Sequence, residues 1–304
     1  WKRGTIWVGT GEVNSSRSSY AGIGILKSED KGKTWQNMGL LDSHHISRIL
    51  INPSNADEVV VGVVGHLYSK NEERGIFKTT NGGKTWNKTL YIDDETGIID
   101  VAVSPKNFNV QYAASWSKDR KAWDFIGSGA TSGIYKSEDA GLTWKLFTTA
   151  ESGFPVGEGV GRIGLAVYDD ATVYAVLDNQ FKRPLESKKS NSLPIAFSVP
   201  GDEFLKIPNK SLNSILKNYG LTEKYRAENI KHWIQNGYLQ PNEAAKVVLE
   251  AINSLAEKEV IGAEVYKSSN GGKNWTKTHP GFIDDFFYSY GYYFSVLSVD
   301  PNDV

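Results

Sequence analysis

The sequence predicts an all-β fold of repeated four-stranded antiparallel units, and three observations carry the prediction. An eight-residue signature occurs four times: Ser28–Trp35 (SEDKGKTW), Thr79–Trp86 (TTNGGKTW), Ser137–Trp144 (SEDAGLTW) and Ser268–Trp275 (SSNGGKNW). Each copy follows a lead of alternating apolar and polar residues (GILK, GIFK, GIYK and the variant AEVYK), the pattern of a half-buried strand. The copies start at residues 28, 79, 137 and 268, so the intervals are 51, 58 and 131 residues. A supersecondary unit that recurs every 40–50 residues or so with fixed turn chemistry marks a β-propeller, whose blades are four-stranded sheets.

The signature reads as a hairpin turn. Position three is Asp30, Asn81, Asp139 or Asn270, side chains expected to accept hydrogen bonds from backbone amides two residues on. Gly32, Gly83, Gly141 and Gly272 at position five supply a positive φ that branched residues resist. Thr34, Thr85 and Thr143, or Asn274, can tie the turn through a side-chain hydrogen bond. Trp35, Trp86, Trp144 and Trp275 open the following strand and offer a large apolar face to the neighbouring unit. The expected role of all these residues is structural, with a cation held by the aspartates as the alternative.

Strand phase orders each blade. An inner strand comes first (ISRILINPSNADE, IIDVAVSPKNFN, IGLAVYDDAT, YFSVLSVDPND) and a second follows (VVVGVVG, QYAASW, VYAVLD). The lead and the Trp segment are strands three and four. The chain thus starts in a second strand (TIWVGTGE) and ends just after an inner strand, Ser295–Val304. About 220 residues outside an insertion make four to five blades. The phase also permits a closed four-bladed ring, but part of a larger ring is expected, with the remaining blades outside this chain.

These motifs resemble the Asp-box, or bacterial neuraminidase, repeat shared by sialidases, xyloglucanase-type glycoside hydrolases and sortilin-type propellers. The chain, with GTGE, HISRI, NEERGIFK, IDDETG and GRIG, looks most like large secreted bacterial proteins labelled BNR-repeat glycosyl hydrolases or sortilin-like. The resemblance implies a propeller and an extracytoplasmic location, and it implies no particular activity.

Composition narrows the classes. Lys and Arg number 34 against 35 Asp and Glu, so no net field favours nucleic acid or an anionic membrane. No apolar run reaches the length of a membrane-spanning helix. There is no Cys, which removes disulfides and thiolate chemistry. No signal-peptide pattern is read in the sequence, and the start at Trp1 rather than Met leaves room for a targeting segment outside it. Phosphate-loop, Rossmann, GxSxG and HExxH patterns are absent, and no cofactor is expected.

Residues 179–262 interrupt the fourth blade. The expected organisation is therefore 1–178 for blades one to four in first part, 179–262 for a helical insertion, and 263–304 for the end of blade four and the start of blade five. After a polar start (FKRPLESKKSNSLP), helices are expected from Asn209, from Thr222 and from Pro241, each with one apolar stripe. A self-packed mini-domain is the first reading, and a lid over the loops is the other.

Strand parity collects the long loops at the end opposite the Asp-box turns, and the candidate site residues lie there. Asp93-Asp94-Glu95 and Asp284-Asp285 occupy equivalent blade junctions, and two facing carboxylates are what glycoside hydrolysis needs. Asp94 and Asp285 are accordingly the candidate catalytic pair, against the plainer role of acidic turn residues. Arg17, Arg48, Arg74, Arg120 and Arg162 share this end, as does Glu12. Sialidases hold a substrate carboxylate in an arginine cluster, but here the nearest approach to an Arg-Ile-Pro motif is Arg48-Ile49-Leu50. The plainer expectation is that these arginines brace loops through Glu12, Glu72, Glu73 or Glu158.

His44 is a candidate ligand contact. Adjacent to His45 and near Asp42, it is not expected to form a metal site, because strand neighbours point apart. His66 and His279 read as isolated and structural. Trp116, Trp123, Tyr288, Tyr290, Tyr292 and Tyr293 could stack on sugars or peptide, with the loop residues Trp123, Tyr288 and Tyr290 favoured. The expected partner is a protein or carbohydrate ligand.

Overall fold

The computed structural model describes residues 4–183, 201–218, 223–240, 243–244, 246–250, 260–283, 286 and 290–302. The chain divides into two units, one of residues 1–181 and 261–304 and one of residues 182–260.

The first unit is built of antiparallel sheets. Sheet I contains β1 (Ile6–Gly9), β2 (Ile25–Ser28) and β3 (Gln36–Asn37) in that order. Sheet II contains β4 (Ile46–Asn52), β5 (Asn55–Val63), β6 (Gly75–Thr79) and β7 (Asn87–Leu90), also in order. Sheet III runs β8 (Thr96–Ser104), β9 (Asn107–Ser117), β12 (Gly133–Ser137) and β13 (Lys145–Leu146). Between β9 and β12 a separate ribbon pairs β10 (Asp119–Arg120) with β11 (Phe125–Ile126). Sheet IV runs β14 (Val160–Val167), β15 (Val173–Lys182), β16 (Val260–Ser268) and β17 (Thr276–Lys277). The strands β5, β9 and β15 are largely buried on both faces, as at Val59–Val61, because they pack against neighbouring sheets.

The first strands of successive sheets lie side by side. Ser47 Oγ donates to the Ile98 carbonyl at 2.6 Å, and Arg48 Nε donates to Asp100 Oδ1 at 2.6 Å. Asp100 Oδ2 accepts the Leu165 N–H at 2.9 Å. Ser47 and Arg48 of β4, Ile98 and Asp100 of β8 and Leu165 of β14 are thus neighbours, and the loops entering these strands meet at one end, where Arg74 binds the Glu95 carbonyl and Asn71 binds Asp42. Beyond sheet IV, buried Ser295 lies against β14, where a Cβ on Gly164 would come within 2.4 Å of the Ser295 carbonyl oxygen. The inner strand expected over Ser295–Val304 is not formed: Gly291–Phe294 is a short helix and residues 295–302 are irregular.

The four signature turns share one hydrogen-bond plan. The position-three carboxylate or amide reaches four residues on, not two: Thr34 N–H donates to Asp30 Oδ1 at 2.9 Å, and the same bond recurs at Thr85, Thr143 and Asn274. The first residue's hydroxyl accepts the position-five N–H, at 2.8 Å for Ser28 and Gly32. Both oxygens of Asp30 are filled by donors from Ser28 and Thr34. Hydrogen bonds from Thr34 and Ser28 hold the Asp30 carboxyl down to about 2. Position four also has positive φ, and two non-glycines occupy it: Lys31 at 66° and Ala140 at 60°. The tryptophans differ in use. Trp275 is buried, Trp86 donates Nε1–H to the carbonyl of Met38, just after β3, at 2.7 Å, and Trp35 is 42% exposed.

The second unit has its own core of Phe204, Leu212, Leu216, Ala227, Ile230, Ala244 and Val248. Its helices include α1 (Gly201–Lys206), α2 (Asn209–Asn218) and α3 (Ala227–Gln235). Thr222 and Pro241 themselves lie outside the described residues, but the helix expected from Thr222 begins only at Ala227, after a 3-10 turn over Glu223–Tyr225 and an extended Arg226. Asn213 of α2 accepts the Ala227 N–H at 2.6 Å and so caps α3 from a neighbouring helix. No helix among the described residues is long and apolar enough to cross a membrane.

Candidate ligand-binding face

The loop joining β1 to β2 organises the end where the long loops gather. It leaves sheet I and reaches sheets III and IV. Arg120 Nε donates to the Ser15 carbonyl at 2.9 Å, and Arg162 Nη1 donates to Asn14 Oδ1 at 2.7 Å. Val13 packs against the core cluster formed by Trp116, Ile163 and Leu177. Tyr68 Oη donates to the Arg17 carbonyl at 2.8 Å, and Tyr293 Oη approaches Glu12 at 3.4 Å.

Arg74, Arg120 and Arg162 brace these loops, and their acceptors are mostly backbone carbonyls rather than the expected glutamates, while Arg17 is exposed. Buried Arg74 donates to the carbonyls of Val64, Glu95, His66 and Ser69 at 2.8–3.1 Å. Arg162 also donates to the carbonyls of Tyr292 and Tyr293. Arg120 stacks 4.0 Å over the Phe125 ring. Arg48 is the exception with a carboxylate, Asp100, and its own side chain stays half exposed. Burial pulls the Arg162 guanidinium down to about 10, against the pull of Asp100. Guanidiniums engaged in this way hold loops in register, with Arg74 Nε and Arg162 Nε left buried without a hydrogen-bond partner.

The acidic clusters divide. Asp93 accepts the N–H groups of Glu95 and Thr96 and the Thr96 hydroxyl, the work of a turn residue. Asp94 and Glu95 flank Lys70 at 3.7 and 2.9 Å. Asp284, Asp285 and Tyr288 lie outside the described residues.

Several groups that sequence reasoning passed over are buried here. Burial pushes the Asp178 carboxyl up to about 6, opposed by Gln180 and Arg162. Burial lowers the Lys118 amine to about 7, with Arg74 and Arg120 adding to the effect. His45 is lowered to about 4 by burial and by Lys118. Asp100 and Glu264 are buried and fully engaged, Glu264 by Asn179, Tyr266 and Lys277. His66 is not isolated: its ring stacks on His44 with centroids 3.6 Å apart, and Nε2 lies 3.0 Å from Asp42 Oδ1. The two histidines stand far apart along the chain, at positions 44 and 66, and that separation hid the pair from the sequence.

The aromatics separate cleanly. Trp116 is fully buried, with Nε1–H donating to the Gly127 carbonyl at 2.8 Å. Trp123, between the two strands of the β10–β11 ribbon, is 84% exposed, and Tyr290 is 55% exposed. Tyr20, Tyr68 and Tyr91 are also exposed, and each lies in a loop at this same end.

No protein-family model matches the sequence, and no curated protein matches it. Among solved structures, the chain is similar to a GH74 enzyme of Niastella koreensis, with a TM-score of 0.46 and 17% identity over 90% of this chain and 27% of that one. It is similar to the GH74 xyloglucanase of Xanthomonas campestris, with a TM-score of 0.45 and 11% identity over 91% of this chain and 28% of that one. It also resembles YCF48 from Cyanidioschyzon merolae, with a TM-score of 0.31 and 14% identity over 86% and 79% of the two chains. The chain spans under a third of the length of the two GH74 proteins.

Proposed function

We propose that this chain is part of an extracytoplasmic, sortilin-like β-propeller that binds a protein or polysaccharide on its loop-rich end. The observation that carries the reading is the exposure of Tyr20, Tyr68, Tyr91, Trp123 and Tyr290, all in loops of that end. Large rigid aromatics exposed together give stacking area to sugar rings or peptide at low entropic cost. The exposed Trp35 and the three-stranded sheet I support a ring completed by blades outside this chain. The test is a panel of polysaccharides and extended peptides titrated against the full-length protein, read by tryptophan fluorescence. Binding that falls at least tenfold in Trp123→Ala and Tyr290→Ala supports the reading. Binding unaffected by both substitutions refutes it.

A hydrolytic version assigns Asp94 and Asp285 as the carboxylate pair of a glycoside hydrolase. Asp94 supports it only in being half exposed and so open to a substrate. Turnover of a polysaccharide, abolished in both Asp94→Asn and Asp285→Asn, is the expected outcome. Turnover that survives either substitution removes the pair.

A further inference from the structure

The structure assigns a binding site for a zinc-type divalent ion to Asp42, His44 and His66, where the loop before β4 meets the loop between β5 and β6. One ligand atom from each of the three lies within 4.8 Å of the other two. His66 Nε2 and Asp42 Oδ1 are 3.0 Å apart. Donors bound ~2.1 Å from one tetrahedral ion sit ~3.4 Å apart, so this pair needs to separate by only a few tenths of an ångström.

The surrounding groups orient the donors as the outer shell of a metal site does. The Ser69 hydroxyl lies 2.8 Å from His66 Nδ1, which leaves Nε2 facing Asp42. The Asn71 amide donates to Asp42 Oδ2 at 3.3 Å and to the Asp42 carbonyl at 2.8 Å, which leaves Oδ1 for the ion. The backbone of His66 is pinned in turn, since its carbonyl accepts from Arg74 and Lys118 at 3.1 Å each. The fourth tetrahedral position is left to water.

Two imidazoles with carboxylate oxygens favour zinc and its transition-metal neighbours over magnesium or calcium, which take oxygen donors. His44 and His66 stack with an interplanar angle of 18°, so one ring must turn to share an ion. His44 is the one free to do so, because its ring makes no hydrogen bond among the described residues.

Titration calorimetry of the metal-stripped chain with zinc chloride near neutral pH tests the site. One zinc per chain is expected, unaffected by excess magnesium or calcium. His44→Ala and Asp42→Asn should each weaken it at least tenfold, and Ser69→Ala about tenfold through the loosened His66 ring. His44→Ala removes no hydrogen bond and only the stack on His66, so its metal-free melting temperature should stay within a few degrees of the parent's while the zinc-induced rise in melting temperature disappears. No zinc uptake overturns the assignment. So does uptake that persists in His44→Ala, which would place the ion elsewhere, or displacement by calcium, which would reduce the site to an acidic patch.

Discussion

Asp100 joins three neighbouring first strands through one carboxylate, and replacing it with asparagine measures that junction. Its oxygens accept Arg48 Nε at 2.6 Å, Val101 N–H at 3.0 Å and Leu165 N–H at 2.9 Å. In Asp100→Asn, the amide oxygen keeps the Oδ1 bonds and the amide nitrogen then faces the Leu165 N–H. That N–H is buried and loses its acceptor, at a cost of about 1–3 kcal/mol. The bond to Arg48 changes from charged to neutral, a loss of about 1 kcal/mol, discounted because the Arg48 side chain is half exposed. The expected destabilisation is about 3 kcal/mol. For a unit of this size it lowers the melting temperature by about 6–12 °C. Urea unfolding and calorimetry of the parent, Asp100→Asn and Arg48→Ala give the three numbers needed. Arg48→Ala should cost under about 1 kcal/mol, since the carboxylate keeps its two amide donors. If Asp100→Asn costs less than about 1 kcal/mol, or if both variants lose the same amount, most of the effect does not come from the stranded Leu165 N–H and the reasoning is refuted.

Ala140→Gly should stabilise the chain by about 0.5–1 kcal/mol in denaturant unfolding, because relief of left-handed strain of about 1–2 kcal/mol outweighs the added freedom of the unfolded chain; Gly82 and Gly271 already occupy this position in two sister turns. The Asp178 carboxyl is raised from 3.8 to about 6, so the native state favours its protonated form. That stabilisation is full below pH ~4 and is lost as pH rises through ~6, by about 3 kcal/mol. Asp178→Asn should flatten this slope in a pH series of melting temperatures, and an unchanged slope would count against it. Arg162→Ala should destabilise by about 3 kcal/mol and speed proteolysis of the loop at residues 9–22, because it leaves the Asn14 amide oxygen and two carbonyls without their donor; a loop no more sensitive than the parent's would contradict its role as a brace.

The repeating architecture was legible because its determinants are local. A lead of alternating residues, an Asx side chain and a glycine lie within a short stretch, and each copy is read without knowing the others. Even there, the reach of Asp30 to Thr34, four residues on, and the positive φ at Lys31 and Ala140 were not visible in residue type. The loop end resisted reading for a different reason. Arg74, Arg120 and Arg162 find backbone carbonyls, which every residue carries, so nothing in the sequence marks the partner. His66 meets His44 only through the fold, and Lys118 and Asp178 sit in strands or at strand ends where alternation predicts nothing unusual. The strand over Ser295–Val304 failed although its residues favour one, because residues 295–302 pair with no neighbouring strand and an isolated strand leaves its backbone groups unmatched.

The bond between Asn14 and Arg162 has a kinetic consequence. It links residues 148 positions apart, and the Arg120 contact with Ser15 links residues 105 apart. Closing chain segments of that length costs conformational entropy before either bond gives anything back. Sheets II and III, made of neighbouring hairpins, can form while the first loop is still free. The crossing of residues 13–15 can then follow them, so the aromatic end is assembled on sheets already in place.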